Sequence, residues 1–186
     1  MDYESIYITW KELCEEREND ILNAWSKGAS IFTGVMKDNE FPPSIIRGFA
    51  TKLQLKILFE YYSTDVVLYR TDSLLVGSSP NQVWTNPDGN WLKTIDIAIE
   101  HENQIEGNKG GYQEICHLLT TNAKFKILIG YPERFSENDI ASDFQSLLAK
   151  CSENSEILFV SGRKIKNKII WNVFLLTNKG YKQLEI

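Results

Sequence analysis

Ile95-Asp96-Ile97-Ala98-Ile99-Glu100-His101-Glu102-Asn103 carries two kinds of information at once. In an extended chain alternate residues share a face, so Asp96, Ala98, Glu100 and Glu102 point one way, and Ile95, Ile97, Ile99 and His101 the other. The isoleucines mark the face turned to a core. Acidic groups near the end of so apolar a strand are costly unless solvated, paired or bound to a cation. Glu100 and Glu102 lie about 7 Å apart along one face, a spacing at which two carboxylates can share a divalent ion. His101 falls on the opposite face and reads as a satisfied core or flank residue.

Working outward, residues 91–102 read as one strand, and residues 66–69 and 73–76 as two short ones ahead of it, being β-branched or apolar and too short for helices. The loop Ser78-Ser79-Pro80-Asn81 and the turn Asn86-Pro87-Asp88-Gly89 lie between them. If the chain reverses at that turn, the numbers of facing residues sum to about 175. Asp72 then comes beside the end of the next strand, near residues 100–103. Three carboxylates meeting there would repel one another, and Mg²⁺ or Mn²⁺ would relieve the repulsion. Asp88 lies on the order of 35–40 Å from Glu100 along a continuous strand, so the Pro87-Asp88 pair is set aside as a turn.

After a Gly-rich break at 107–111, residues 112–121 read as a helix carrying His117 on its face, and 125–131 as a buried strand. A helix at 141–151 and strands at 156–160 and 168–177 follow, the last closing the sheet. Upstream, Ile6, Trp10, Leu13, Cys14, Ile21 and Trp25 recur at helical spacing, with the acidic run Glu15-Glu16-Arg17-Glu18-Asn19-Asp20 on the wet side. Residues 29–36 are open between a short strand and a cap on the core. After Pro42-Pro43, Ser44 caps a second helix with the stripe Ile46, Phe49, Ala50, Leu53 and Ile57, ending near Tyr62-Ser63. The order predicts one α/β domain with a mixed sheet flanked by helices.

Composition agrees. The 186 residues are 42% hydrophobic, with five Trp, eight Tyr and nine Phe, enough for a core and too apolar for a disordered chain. No apolar run is long enough to span a bilayer, the first residues lack a leader's pattern, and a cytoplasmic location is expected. A net charge of −5 excludes coating of nucleic acid by bulk positive charge, though not a local basic groove. Cys14, Cys116 and Cys151 are scattered and read as buried reduced thiols; with two histidines, any metal would have to rest on carboxylates.

An acid at the start of one strand, a second ending the next and a third polar residue two positions on resembles the PD-(D/E)XK nuclease superfamily. The resemblance covers residues 43–131 and implies its restriction-endonuclease-like αβββαβ core, with 1–42 as a helical extension and 132–186 completing the sheet. Asp72 matches the first acid and Glu100 the second, while Glu102 stands where the lysine usually is and Thr71 where proline usually precedes the first acid. What this implies is phosphodiester hydrolysis with Mg²⁺ or Mn²⁺ on Asp72, Glu100 and the carbonyl of His101. Glu102 would orient or deprotonate water, and Glu60, placed late in the second helix, would lend a carboxylate behind the ligands. DNA is the implied partner, and double-strand cutting would call for a homodimer. The alternative is an inactive domain of the same fold that binds nucleic acid or protein; a metal-free interaction protein is a third.

Arg163-Lys164-Ile165-Lys166-Asn167-Lys168 is the one basic cluster, between a solvated hairpin tip and a phosphate contact made by Arg163, Lys164 and Lys166. Trp84 and Trp91 are open between core packing and stacking on bases. Phosphate-loop, dinucleotide, serine-elbow and zinc-protease motifs are absent from the sequence.

Overall fold

A computed structural model describes residues 1–76, 90–106, 110–151 and 155–185. Helix α1 (Tyr3–Glu16) starts on a capping box in which Asp2 accepts the Ser5 N–H at 2.9 Å. It ends at Arg17, and α2 (Glu18–Lys27) follows directly, with Arg17 donating to the Pro43 carbonyl. Residues 29–36, open in the sequence, are helical: a short α3 (Ala29–Thr33) runs into a widened π turn at Gly34–Asp38. Helix α4 (Ile45–Lys52) is capped by Ser44, whose hydroxyl accepts the Arg47 N–H and donates to the Lys37 carbonyl.

Seven strands form one sheet in the order β1 (Lys56–Tyr61), β2 (Thr64–Tyr69), β5 (Ile95–Glu102), β6 (Ala123–Gly130), β7 (Glu156–Ile165), β8 (Lys168–Thr177) and β9 (Gly180–Gln183). A two-stranded ribbon, β3 (Leu74–Val76) with β4 (Asn90–Leu92), stands apart from it. The β5–β6–β7 core of the sheet is parallel and both flanks are antiparallel, so the sheet is mixed. Helices α5 (Gly110–Thr120) and α6 (Glu137–Cys151) make the crossovers between the parallel strands.

Each face of the sheet has its own core. Ile97 and Ile99 pack with Val66, Leu68 and the Trp10, Ile21 and Phe49 side chains of the N-terminal helices. Ala98 and Leu128 pack on the other face with Ile115 and Leu118 of α5 and Phe144 and Leu148 of α6. The face division drawn from the isoleucines therefore holds for Ile97 and Ile99, and His101 lies on their side, 3.0 Å from the Tyr131 hydroxyl. Ile95 instead joins a small cluster with Tyr61 and Val67.

Several expectations change. The second helix stops at Lys52, and residues 56–61, expected to be helical, form β1. The stop is a Schellman turn with Gln54 in the left-handed region at φ 57°, where glycine is the usual signal. Glu60 is therefore a strand residue. The long strand at 91–102 is two, divided at Lys93 and Thr94, and β9 adds an edge that was not expected. Cys14 is buried as expected, but Cys116 and Cys151 are exposed thiols.

The largest change is in register. Val66 pairs with Ile99 and Leu68 with Ile97, so facing numbers sum to 165 where 175 was expected. The two registers differ by an even number and put the same residues on the same face, so alternation alone cannot separate them. Loop 78–81, the 86–89 turn, Trp84 and the side chain of Trp91 lie outside the described residues.

Candidate functional site

The site begins where β2 and β5 part. Their backbone pairing ends at Val66 and Ile99, and beyond it the side chains take over. The N–H of Asp65 donates to Oε2 of Glu100 at 3.1 Å, and the N–H of His101 donates to Oδ2 of Asp65 at 3.0 Å. Two acids thus complete the ladder that the backbones leave open. Lys37, brought in by the π turn, donates to Oδ1 of Asp65 at 2.9 Å and to Glu60 at 3.2 Å. Burial disfavours its charge, but these two carboxylates outweigh that and raise its pKa.

Helix α5 closes the other side. Its buried stripe, Ile115 and Leu118, seats it on the sheet and leaves Glu114 and His117 on the flank nearest the strand ends. Nδ1 of His117 lies 3.2 Å from Oε2 of Glu114 and 3.5 Å from Oε1 of Glu100. One ligand atom from each of Glu100, Glu114 and His117 falls within 4.8 Å of the other two. The Glu100 side chain is 1% exposed, and its Oε1 is buried without a hydrogen-bond partner.

That oxygen sets the electrostatics. Burial, with the neighbouring charges of Asp65 and Glu114, pushes the Glu100 carboxyl up to about 9, against the pull of the Asp65 N–H. Burial also raises Glu114. His101 goes the other way: burial, helped by the charge of Lys37, holds its imidazole down to about 4.

Of the residues singled out in the sequence, Glu100 is central. Asp72 is not near it. It sits exposed in a 3-10 turn, Thr71–Ser73, where the Ser73 carbonyl takes the Lys93 N–H. Seven residues separate position 93 from Glu100, or roughly 23 Å along a strand. The acid close to Asp72's end of β5 is Asp96, fully buried and held by Lys124 at 2.8 Å and the N–H of Arg70 at 3.2 Å. Glu102 follows Glu100 on the strand, and its Oε1 accepts the N–H of Gln104 at 2.6 Å. Glu60 is largely exposed and reaches the site only through Lys37. Arg163 is tied to Glu137 and the Phe135 carbonyl, while Lys164 and Lys166 are free in water at the β7–β8 hairpin tip.

Asp65, Glu114 and His117 were missed. Asp65 follows from the true register, since 165 less 100 is 65. The Glu114-x-x-His117 spacing puts both on one helix flank, and a right-handed crossover lays that helix over the face bearing Ala98 and Glu100. Comparison of the chain with family models, with curated proteins and with solved structures gives no match, so the chemistry of the site stands on this geometry.

Proposed function

We propose that the protein is a nuclease that hydrolyses phosphodiester bonds of DNA with a divalent cation, Mg²⁺ or Mn²⁺, held at Glu100. The observation that carries this reading is the buried, unpartnered Oε1 of Glu100, facing two further donors where two strands part. A cation would satisfy that oxygen and offset the mutual repulsion of Asp65, Glu100 and Glu114. Two further features support it. With the separate β3–β4 ribbon between β2 and β5 set aside, the remaining elements α4, β1, β2, β5, α5 and β6 follow the αβββαβ order that the resemblance implies. Asp65, at the start of β2 beside Glu100, stands where that resemblance had put Asp72.

The cation, when bound, supplies an acidified water and stabilises charge on the phosphate. Glu100 would hold it. Asp65 fixes Glu100 through its N–H and is itself fixed by Lys37 and the His101 N–H. On this reading Glu102, half-exposed at the strand end, would orient water or take its proton. The second reading is a non-catalytic binding domain of the same architecture. In its favour, Glu102 replaces the usual lysine and is engaged by Gln104.

Genomic DNA and randomised single strands, incubated with Mg²⁺ or Mn²⁺, offer every short sequence and so test a sequence-specific enzyme. Cation-dependent fragmentation that Glu100→Gln abolishes is the expected result. DNA that is bound and left intact under all these conditions would make the protein a binding domain.

A further inference from the structure

We infer that the site is a mixed nitrogen–oxygen centre, with Glu100, Glu114 and His117 as its protein ligands, built for a first-row transition dication in preference to Mg²⁺. This rests on the cation-dependent reading above and departs from the ligand set of Asp72, Glu100 and a backbone carbonyl that the resemblance implies.

The geometry comes first. Ligands bound at about 2.1 Å from one ion stand roughly 3.0 Å apart in an octahedron and 3.4 Å apart in a tetrahedron. Nδ1 of His117 stands 3.2 Å from Glu114 and 3.5 Å from Glu100, so two edges of a coordination polyhedron are already at its scale. The third pair lies within 4.8 Å. Glu100 aims an unpartnered oxygen into this space from a side chain that is 1% exposed. Such an oxygen is costly to bury alone, and the His117 Nδ1 facing it at 3.5 Å does not make a hydrogen bond to it.

Asp65 is less suited to the ion. Oδ1 holds Lys37 and Oδ2 holds the His101 N–H, so both its oxygens are engaged. It is a positioning residue whose N–H orients Glu100. The donor chemistry then sets the metal. Carboxylates and water suit Mg²⁺ and Mn²⁺, whereas an imidazole nitrogen suits Fe²⁺, Ni²⁺, Cu²⁺ and Zn²⁺, with Co²⁺ between Fe²⁺ and Ni²⁺ in affinity.

Titration of the full chain with Co²⁺, followed by its d–d absorption, and with Mn²⁺ and Mg²⁺ by calorimetry, tests the inference without substrate. Co²⁺ should bind at least about tenfold more tightly than Mg²⁺, and more tightly than Mn²⁺. His117→Asn and Glu114→Gln should each weaken Co²⁺ by about 10–100-fold and shift its absorption, with melting curves showing both variants folded. Asp65→Asn should leave the Co²⁺ spectrum in place. If Co²⁺ binding survives in the His117 and Glu114 variants but is lost with Asp65→Asn, this ligand set is wrong and a carboxylate site on Asp65 and Glu100 replaces it. If Co²⁺, Mn²⁺ and Mg²⁺ all fail to bind, with or without duplex DNA, the inference and the cation-dependent reading fall together.

Discussion

Glu100 and His101 are neighbours on one strand with opposite consequences for stability. The folded state keeps Glu100 protonated up to about 9, whereas an unfolded chain gives up that proton in the ordinary carboxylate range. Stability therefore falls as pH rises through that window, by at most about 1.4 kcal/mol per pH unit. The folded state keeps His101 neutral down to about 4, so stability from His101 is lost as pH falls below its ordinary value near 6.5. Below about 6.5 the two oppose each other, and above it Glu100 acts alone. In metal-free protein, Glu100→Gln should thus gain on the parent by roughly 1–3 kcal/mol between pH 6.5 and 8.5, read from urea midpoints with chelator present. A difference that does not change with pH would mean that Glu100 is already ionised in the fold.

Lys37 makes a second case at this scale. Its side chain is 12% exposed and it is the described cation that reaches Asp65. Lys37→Met leaves Asp65 half-buried beside Glu100 with one partner fewer, and should cost about 1–3 kcal/mol in a urea titration. Methionine keeps most of the stem's packing, so a loss of this size reports on the charge. Asp65→Asn in the same background should recover part of it, since the amide removes the charge that Lys37 balanced.

At the scale of elements, the site depends on how closely α5 approaches β5. A Cβ on Gly110 would stand 2.3 Å from the Gln104 carbonyl, a backbone atom that cannot swing away. Gly110→Ala must push the start of α5 off the loop after β5, carrying Glu114 and His117 away from Glu100. It should weaken Co²⁺ or Mn²⁺ binding at least about tenfold while the protein remains folded, and unchanged affinity would show that the helix start does not set the site.

The elements also show why part of the site was legible in the sequence and part was not. Strand β5 was plain because its apolar face and its acids alternate, and α5, β6 and α6 because their periods are clear. Register was not, because period two fixes which face a residue joins and leaves its partner along the strand undetermined; with facing numbers summing to about 175, Asp72 falls beside the end of β5 and Asp65 runs past it. The end of α4 was hidden because Gln54 holds the left-handed position where glycine would have announced it. Glu114 and His117 belong to a different element from Glu100, and their meeting is set by the crossover between two parallel strands, which no local pattern records.

Across the whole molecule, the C-terminal ends of β5, β6 and β7 point the same way, the end at which open α/β sheets present their ligands. A cavity of about 490 Å³ lined by Asn103, Gln104, Tyr131 and Arg134 opens there. Glu106 shapes its rim by accepting the N–H groups of Glu133, Arg134 and Phe135. The β7–β8 hairpin extends beyond the same edge and carries Lys164 and Lys166 into water. A chain of net charge −5 has little long-range attraction for DNA, so a strand crossing this end would be held by these few cations. Each lysine that neutralises a phosphate contributes about 0.9 to the slope of log affinity against log salt. Replacing both by glutamine should therefore lower the slope by about 1–2, measured by anisotropy of labelled duplex with Glu100→Gln as the background to prevent cleavage. The weakening should be uniform across sequences, because phosphate contacts position the duplex without reading it. An unchanged slope would remove the hairpin from the interface, and any DNA would then have to approach from the α5 side of the strand ends, beside the Glu100 cluster.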